Sequence, residues 1–189
     1  GSNYALNICI NPSNYRINLT THQKSNPKIA PNFCMVLRKH LIGLHIKNII
    51  TNNLERVITI ELEGFDDIND IISKKLIIEL MGKHCNIILL NDENIIIDSL
   101  RHINNESSTH IVVPHIKYSY PEINKKNFLN ISNFQEFNSI IDTSNPLEFS
   151  NKISQTFNGI SKKFVDFIIE KLDITDLHDI YKYLQDVIN

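Results

Sequence analysis

Glu55 and Arg56 stand side by side in "TNNLERVITIEL", at the entry to a run of β-formers, Val57, Ile58, Thr59 and Ile60. An arginine offers a planar fork of donors that matches phosphates and base edges. A carboxylate beside it can hold that fork or accept from an amino group. An exposed charge pair at a strand start can equally be ordinary edge chemistry, worth little to stability. Two basic pairs have related potential. Arg38-Lys39 lies in "PNFCMVLRKHLIG", and Lys162-Lys163 lies in "FNGISKKF". In the latter a helix ends at a small residue, the chain turns, and the next helix opens on two lysines. Free backbone N–H groups and positive charge at such a point suit a phosphate. A helix-hairpin-helix wants glycine at both turn positions. Here the second is Ser161, so a plain αα-hairpin competes.

Other chemistries find little support. The eight histidines form no HxxxH or HExxH pair. "MGKHCN" lacks the upstream glycine and the Ser/Thr of a phosphate-binding loop. No GxSxG is present. Asp66-Asp67 sits among Gly, Asp and Asn and reads as a solvated turn. Cys9, Cys34 and Cys85 are far apart, within apolar runs and without a CxxC, which favours a reduced setting, with Cys34 and Cys85 as buried inert thiols. We therefore expect no catalytic residue, metal or cofactor, and a chain that is not an enzyme.

Charge is unevenly spread. Residues 1–54 contain no acid but carry Arg16, Lys24, Lys28, Arg38, Lys39 and Lys47, so that stretch is +6 and the rest −8 within a total of −2. A basic first part is a candidate surface for a polyanion. Hydrophobic content of 42% and charged content of 21% over 189 residues describe a folded chain with room for a core. The Ile, Asn and Lys bias reads as AT-rich coding. No signal peptide or long apolar span appears. Gly1-Ser2 reads as a cloning remnant, so the natural N-terminus is expected elsewhere.

The elements that must position these residues follow from pattern. "YALNICI" and "YRINLT" around "NPSN" predict a hairpin. A helix is predicted from Pro31 to Gly43, its apolar stripe Phe33, Leu37 and Leu41 with Val36 and His40 alongside. Strands are predicted at about 45–50, 55–62, 75–81 and 86–90, with "NDEN" turning into "IIIDSLRHI". Connections are short and show no βαβ rhythm, so the fold class is α+β and mainly antiparallel. From about Asn133 the pattern is helical, in "SNFQEFNSII", "NPLEFSNKISQTFNGI", "KKFVDFIIEKL" capped by Ser161, and "LHDIYKYLQDVI" capped by Thr175 or Asp176. Two domains are expected, 1–125 and 126–189.

Taken in order, "PNFCMVLRKHLIG", "LERVITIEL", "KLIIELMGKHCNIILLNDENIIIDSLRHI" and "VVPHIKYSYP" resemble the NFACT family, which includes the fibronectin-binding protein A group and ribosome quality-control proteins. The resemblance covers roughly Tyr4 to Pro121, and "FNGISKKF" continues it into the family's helix-hairpin-helix. It implies an N-terminal fold like that of formamidopyrimidine-DNA glycosylases, without their catalytic Pro-Glu. It also implies binding to tRNA, alanyl-tRNA in bacteria, and to a large ribosomal subunit with obstructed peptidyl-tRNA, in support of template-free tailing. The family's opening segment, coiled coil and C-terminal domain are expected outside this chain. An Asp-Arg pair important for tRNA handling stands where Glu55-Arg56 stands here, so Arg56 keeps the base and Glu55 lengthens the acid by a methylene. The expected RNA contacts are Glu55, Arg56, Arg38, Lys39, Lys162 and Lys163, in a cytoplasmic, ribosome-associated protein. A surface adhesin that binds fibronectin or fibrinogen is the alternative, and a DNA-glycosylase-like DNA-binding module a further one.

Overall fold

Strands β3 (His45–Thr51), β4 (Val57–Phe65), β5 (Ile71–Glu79), β6 (Asn86–Leu90) and β7 (Ile96–Ser99) pair in chain order, each antiparallel to the next. A computed structural model describes residues 4–22, 25–51, 55–66, 68–104, 110–121 and 124–188. Lys24 and Asp67 therefore lie outside the described residues. The chain divides into two units, 1–52 with 56–122, and 53–55 with 123–189.

The first unit is an α+β layer around this sheet. Alternate side chains of a strand face opposite ways, and both faces are covered in the middle of the sheet. One face carries Ile60, Leu76, Ile78 and Leu89, packed against α1 (Asn32–Leu41) through Phe33, Val36, Leu37 and Leu41. The hairpin of β1 (Ala5–Cys9) and β2 (Arg16–Thr20) adds Ile8, Ile10 and Ile17 to that cluster. The other face carries Val57, Ile77, Ile88 and Leu90 under Val112 and Tyr118. The segment that brings Tyr118 is laid along β7 by backbone bonds, Ile96 N to Ile116 O at 2.8 Å and Tyr118 N to Asn94 O at 2.8 Å.

Predicted bounds shift at three places. β4 begins at Val57, so Glu55 and Arg56 precede the strand rather than start it. β5 runs from Ile71 to Glu79 rather than from 75 to 81. Its first half was hidden by Ser73, Lys74 and Lys75, and is made a strand by nine-residue pairing with β4 from Val57↔Glu79 to Phe65↔Ile71. Asp66 closes that hairpin by accepting from the Ile68 and Asp70 amides at 3.0 and 2.8 Å. Pro31 is the residue before the first turn of α1, not within it. Gly43, at φ +89°, lets the chain leave α1 through a left-handed turn that a side chain would strain.

Two buried polar residues lock this unit. Asn86, fully buried, donates from Nδ2 to the Arg101 carbonyl at 2.9 Å and accepts from the Arg101 amide at 3.0 Å, replacing a strand that is absent there. Glu79, also fully buried, takes the Tyr118 hydroxyl at 2.8 Å and lies 2.9 Å from His110 Nε2, both on Oε1. Its Oε2 has no hydrogen-bond partner among the described residues.

The second unit is all-α: α2 (Phe134–Ile141), α3 (Pro146–Thr156), α4 (Lys162–Lys171) and α5 (Leu177–Ile188). Asn133, Asn145, Ser161 and Asp176 accept from first-turn amides of these helices. Its core is aromatic: Phe137 stacks on Phe157 at 5.5 Å, and Phe128 meets both edge-on. Cys85 is fully buried in the first unit, but Cys34, expected to be buried, is only half-buried on α1, as is Cys9 on β1; all three are free thiols.

Removing the Glu79 carboxylate takes a buried hydrogen-bond partner from both the Tyr118 hydroxyl and His110. Glu79→Ala is therefore expected to cost about 2–4 kcal/mol. A urea titration of the two chains reads this directly, and a loss under about 1 kcal/mol counts against the network.

Candidate nucleic-acid interface

Arg56 sits one residue before β4, so alternation gives it the side of Ile58, the side taken by the β1–β2 hairpin. Tyr15 enters from that hairpin. Arg56 Nη1 donates to the Tyr15 hydroxyl at 2.9 Å, and Cζ lies 5.9 Å from the Tyr15 ring centroid. The Arg56 carbonyl accepts from the Leu80 amide at 2.8 Å, which ties the backbone at this point to the end of β5. The guanidinium is exposed but oriented, and among the described residues one of its five donors is engaged, by Tyr15. An arginine so restrained loses less side-chain freedom on binding than a free one.

No sequence signal pointed to Tyr15. It is 41 residues from Arg56, and only the packing of Ile8, Ile10 and Ile17 on the sheet brings the two together. Glu55 is half-buried. It is grouped with the second unit while Arg56 is grouped with the first.

Arg38 and Lys39 are exposed in the last turn of α1, where cations also suit the negative end of the helix dipole. Neither makes an ion pair with a described residue, whereas Lys47 is spent on Glu63. Their neighbour His40 has its pKa lowered from the ordinary 6.5, first by burial, then by Lys39 and Lys74. A local positive potential is thus felt by a third group.

In the second unit, α3 and α4 are joined by a turn in which Gly159 has φ +76°. Ser161 caps α4 by accepting from the Phe164 amide at 3.2 Å. Lys162 Nζ lies 3.0 Å from each carboxylate oxygen of Asp166. Ser150 and then Lys162 hold Asp166 below the usual carboxylate range. Lys163 is exposed and makes no such pair among the described residues. The two lysines, equivalent in sequence, therefore differ: one is engaged and one is open. Among the described residues, one group of metal-ligating atoms converges, those of exposed Asp176, His178 and Asp179. Capping explains it, since Asp176 Oδ1 accepts from the His178 and Asp179 amides at 2.8 and 3.3 Å.

The first unit thus presents an oriented arginine and exposed cations on an antiparallel α+β frame. The frame has solved counterparts. The "fibrinogen binding protein" of Staphylococcus aureus aligns with all of this chain and 67% of its own at TM-score 0.83 and 27% identity. The N-terminal part of the "fibronectin/fibrinogen-binding protein" of Streptococcus suis aligns with 97% of this chain and 68% of its own at TM-score 0.78 and 28% identity.

The chain belongs to the NFACT family, whose N-terminal and middle domains match it over residues 1–189. Among curated relatives, the "Rqc2 homolog RqcH" of Bacillus subtilis is 37% identical over 128 residues, 67% of this chain and 22% of the relative. The "Archaeal Rqc2 homolog aRqcH" of Methanocaldococcus jannaschii is 33% identical over 177 residues, 92% of this chain and 25% of the relative. The chain thus spans about a quarter or less of the length of these relatives. No helix among the described residues is long and apolar enough to cross a membrane.

The depressed His40 pKa fixes the sign of one pH effect. Charging His40 is harder in the folded chain than in the unfolded one, so its stability contribution is full above about 6.5 and is lost as pH falls through that value. His40→Gln is expected to flatten the acid side of a urea-midpoint profile measured from about pH 7 to 5. An identical profile for both chains would remove this account.

Proposed function

We propose that this chain is the RNA-holding, non-catalytic part of a ribosome-associated quality-control factor that works in the cytoplasm. Within the whole protein it binds tRNA and the large ribosomal subunit carrying an obstructed peptidyl-tRNA. It thereby supports template-free alanine tailing of the stalled chain. The observation that carries this reading is the Arg56 guanidinium held by Tyr15 at the mouth of β4. Family membership and relatives named Rqc2 homologs support it. Arg56 faces phosphate or a base edge, Glu55 accepts from an amino group, and Arg38 and Lys39 neutralise backbone charge. The turn from α3 into α4 acts as a helix-hairpin-helix grip on phosphate. Lys163 makes the direct contact there, while Lys162 is paired with Asp166 along the same helix.

A second reading, adhesion to fibrinogen or fibronectin, is favoured by the names of the Staphylococcus aureus and Streptococcus suis structures. The two part at the ligand: RNA binding weakens steeply with salt through counterion release, and a protein ligand has no such phosphate term.

Filter binding of tRNA at two salt concentrations tests the proposal. Wild type is expected to bind at low salt, and Arg56→Ala to lose about 1–3 kcal/mol, roughly five- to 150-fold. Tyr15→Phe, which keeps the ring and drops the hydroxyl, is expected to fall between them. An unchanged Arg56→Ala chain, or fibronectin bound where tRNA is not, would overturn it.

A further inference from the structure

The sheet face turned away from Arg56 holds a second, differently built site. Thr59 and Glu61 follow Val57 on that face, and they line a cavity of about 260 Å³ floored by Ile77 and Leu90. Tyr118 and Tyr120 form one wall, edge to face at 5.3 Å and 70°. Tyr118 is fixed by its bond to Glu79, whereas Tyr120, its hydroxyl 3.4 Å from Thr59 Oγ1, is 46% exposed. Lys75 Nζ donates to Asn94 Oδ1 at 3.0 Å and lies 4.0 Å from Glu61. Lys117, exposed at the rim, makes no ion pair with a described residue.

This polar set is costly where it stands. The same face carries buried Val57, Ile77, Ile88 and Leu90 a step or two away, and further apolar residues would extend that layer at no desolvation penalty. An apolar floor, an aromatic wall and a few convergent polar groups are instead what a small-ligand pocket requires. The volume lies just under the roughly 300 Å³ at which such pockets begin. That is a volume on the scale of one small ring system.

We propose that this cavity receives a single nucleotide of an RNA strand. The base lies against Tyr120 with its polar edge at Glu61 and the Asn94 amide, and the phosphate is taken by Lys117. Two lysines and one glutamate leave the lining at +1, which matches the single charge of a phosphodiester. A free monophosphate, nearer −1.5 to −2, is matched less well. The inference rests on the RNA reading above but uses none of its residues.

Calorimetric titration of the full chain with a short single-stranded RNA, and separately with AMP and UMP, tests it. Tyr120→Ala is expected to weaken the RNA about tenfold, the worth of one stacked base. Tyr120→Phe should stay within about twofold, because the stacking face is kept. Lys117→Gln should lower the salt slope by about one phosphate. Both altered side chains are exposed, and circular dichroism checks that the chains fold. Wild-type affinity in Tyr120→Ala and Lys117→Gln overturns the site. Tyr120-dependent binding of AMP or UMP with no competition from RNA overturns the RNA assignment in favour of a free nucleotide. Arg56→Ala separates the two proposals: it should weaken tRNA yet leave the Tyr120-dependent loss on short RNA intact. Tyr120 dependence with no Arg56 effect keeps this site and removes the earlier one.

Discussion

Burial on both faces of β4, β5 and β6 is the constraint from which the rest of the first unit follows. A central strand covered on one side can alternate apolar and polar residues. These strands cannot, so "VITI", "LIIE" and "NIILL" are near-continuous apolar runs. The two coverings are of different kinds. One is regular, a helix and a hairpin with their own apolar stripes. The other is an irregular strap of 101–104 and 110–120, held to the sheet by scattered backbone bonds and isolated bridges rather than by a continuous ladder. That difference explains where the buried polar residues lie. Asn86 and Glu79 both serve the irregular side, supplying by side chain the bonds that a regular layer would supply by backbone.

The same division separates the two candidate binding features. Arg56 lies on the regular side, and its orientation depends on how the β1–β2 hairpin docks. The Tyr118–Tyr120 cavity lies on the irregular side, and its shape depends on the strap and hence on Glu79. A change in either covering should therefore reach one feature and spare the other, since a packed sheet of short strands transmits little between its faces except through its own side chains. The basic character of the first part is reduced in the folded chain. Lys47 is neutralised by Glu63, while Arg38 and Lys39 make no ion pair with a described residue.

Much of this architecture was legible from local pattern. The hairpin around "NPSN", the helix ending before Gly43, the apolar strands, the Ser161 cap and the antiparallel class all rest on contacts within a few residues. The failures share a cause. Ile71 to Lys74 carry a mixed signal, and only nine consecutive pairs with β4 make them strand. Glu55 and Arg56 carry a strand-like neighbourhood, yet pairing starts at Val57.

What the residue order by itself determined is which groups could bind a polyanion: an acid-free basic stretch, an arginine beside an acid, and two lysines opening a helix. Tertiary structure alone decided which of them are available. It gave Arg56 a tyrosine 41 residues away and spent Lys47 on Glu63, 16 residues away. It also assembled a cavity from strands and strap residues that are distant in the chain. The physical reason is range. Propensity, capping and periodicity act over one or two turns, whereas a side chain's free donors depend on whatever the closed core brings beside it.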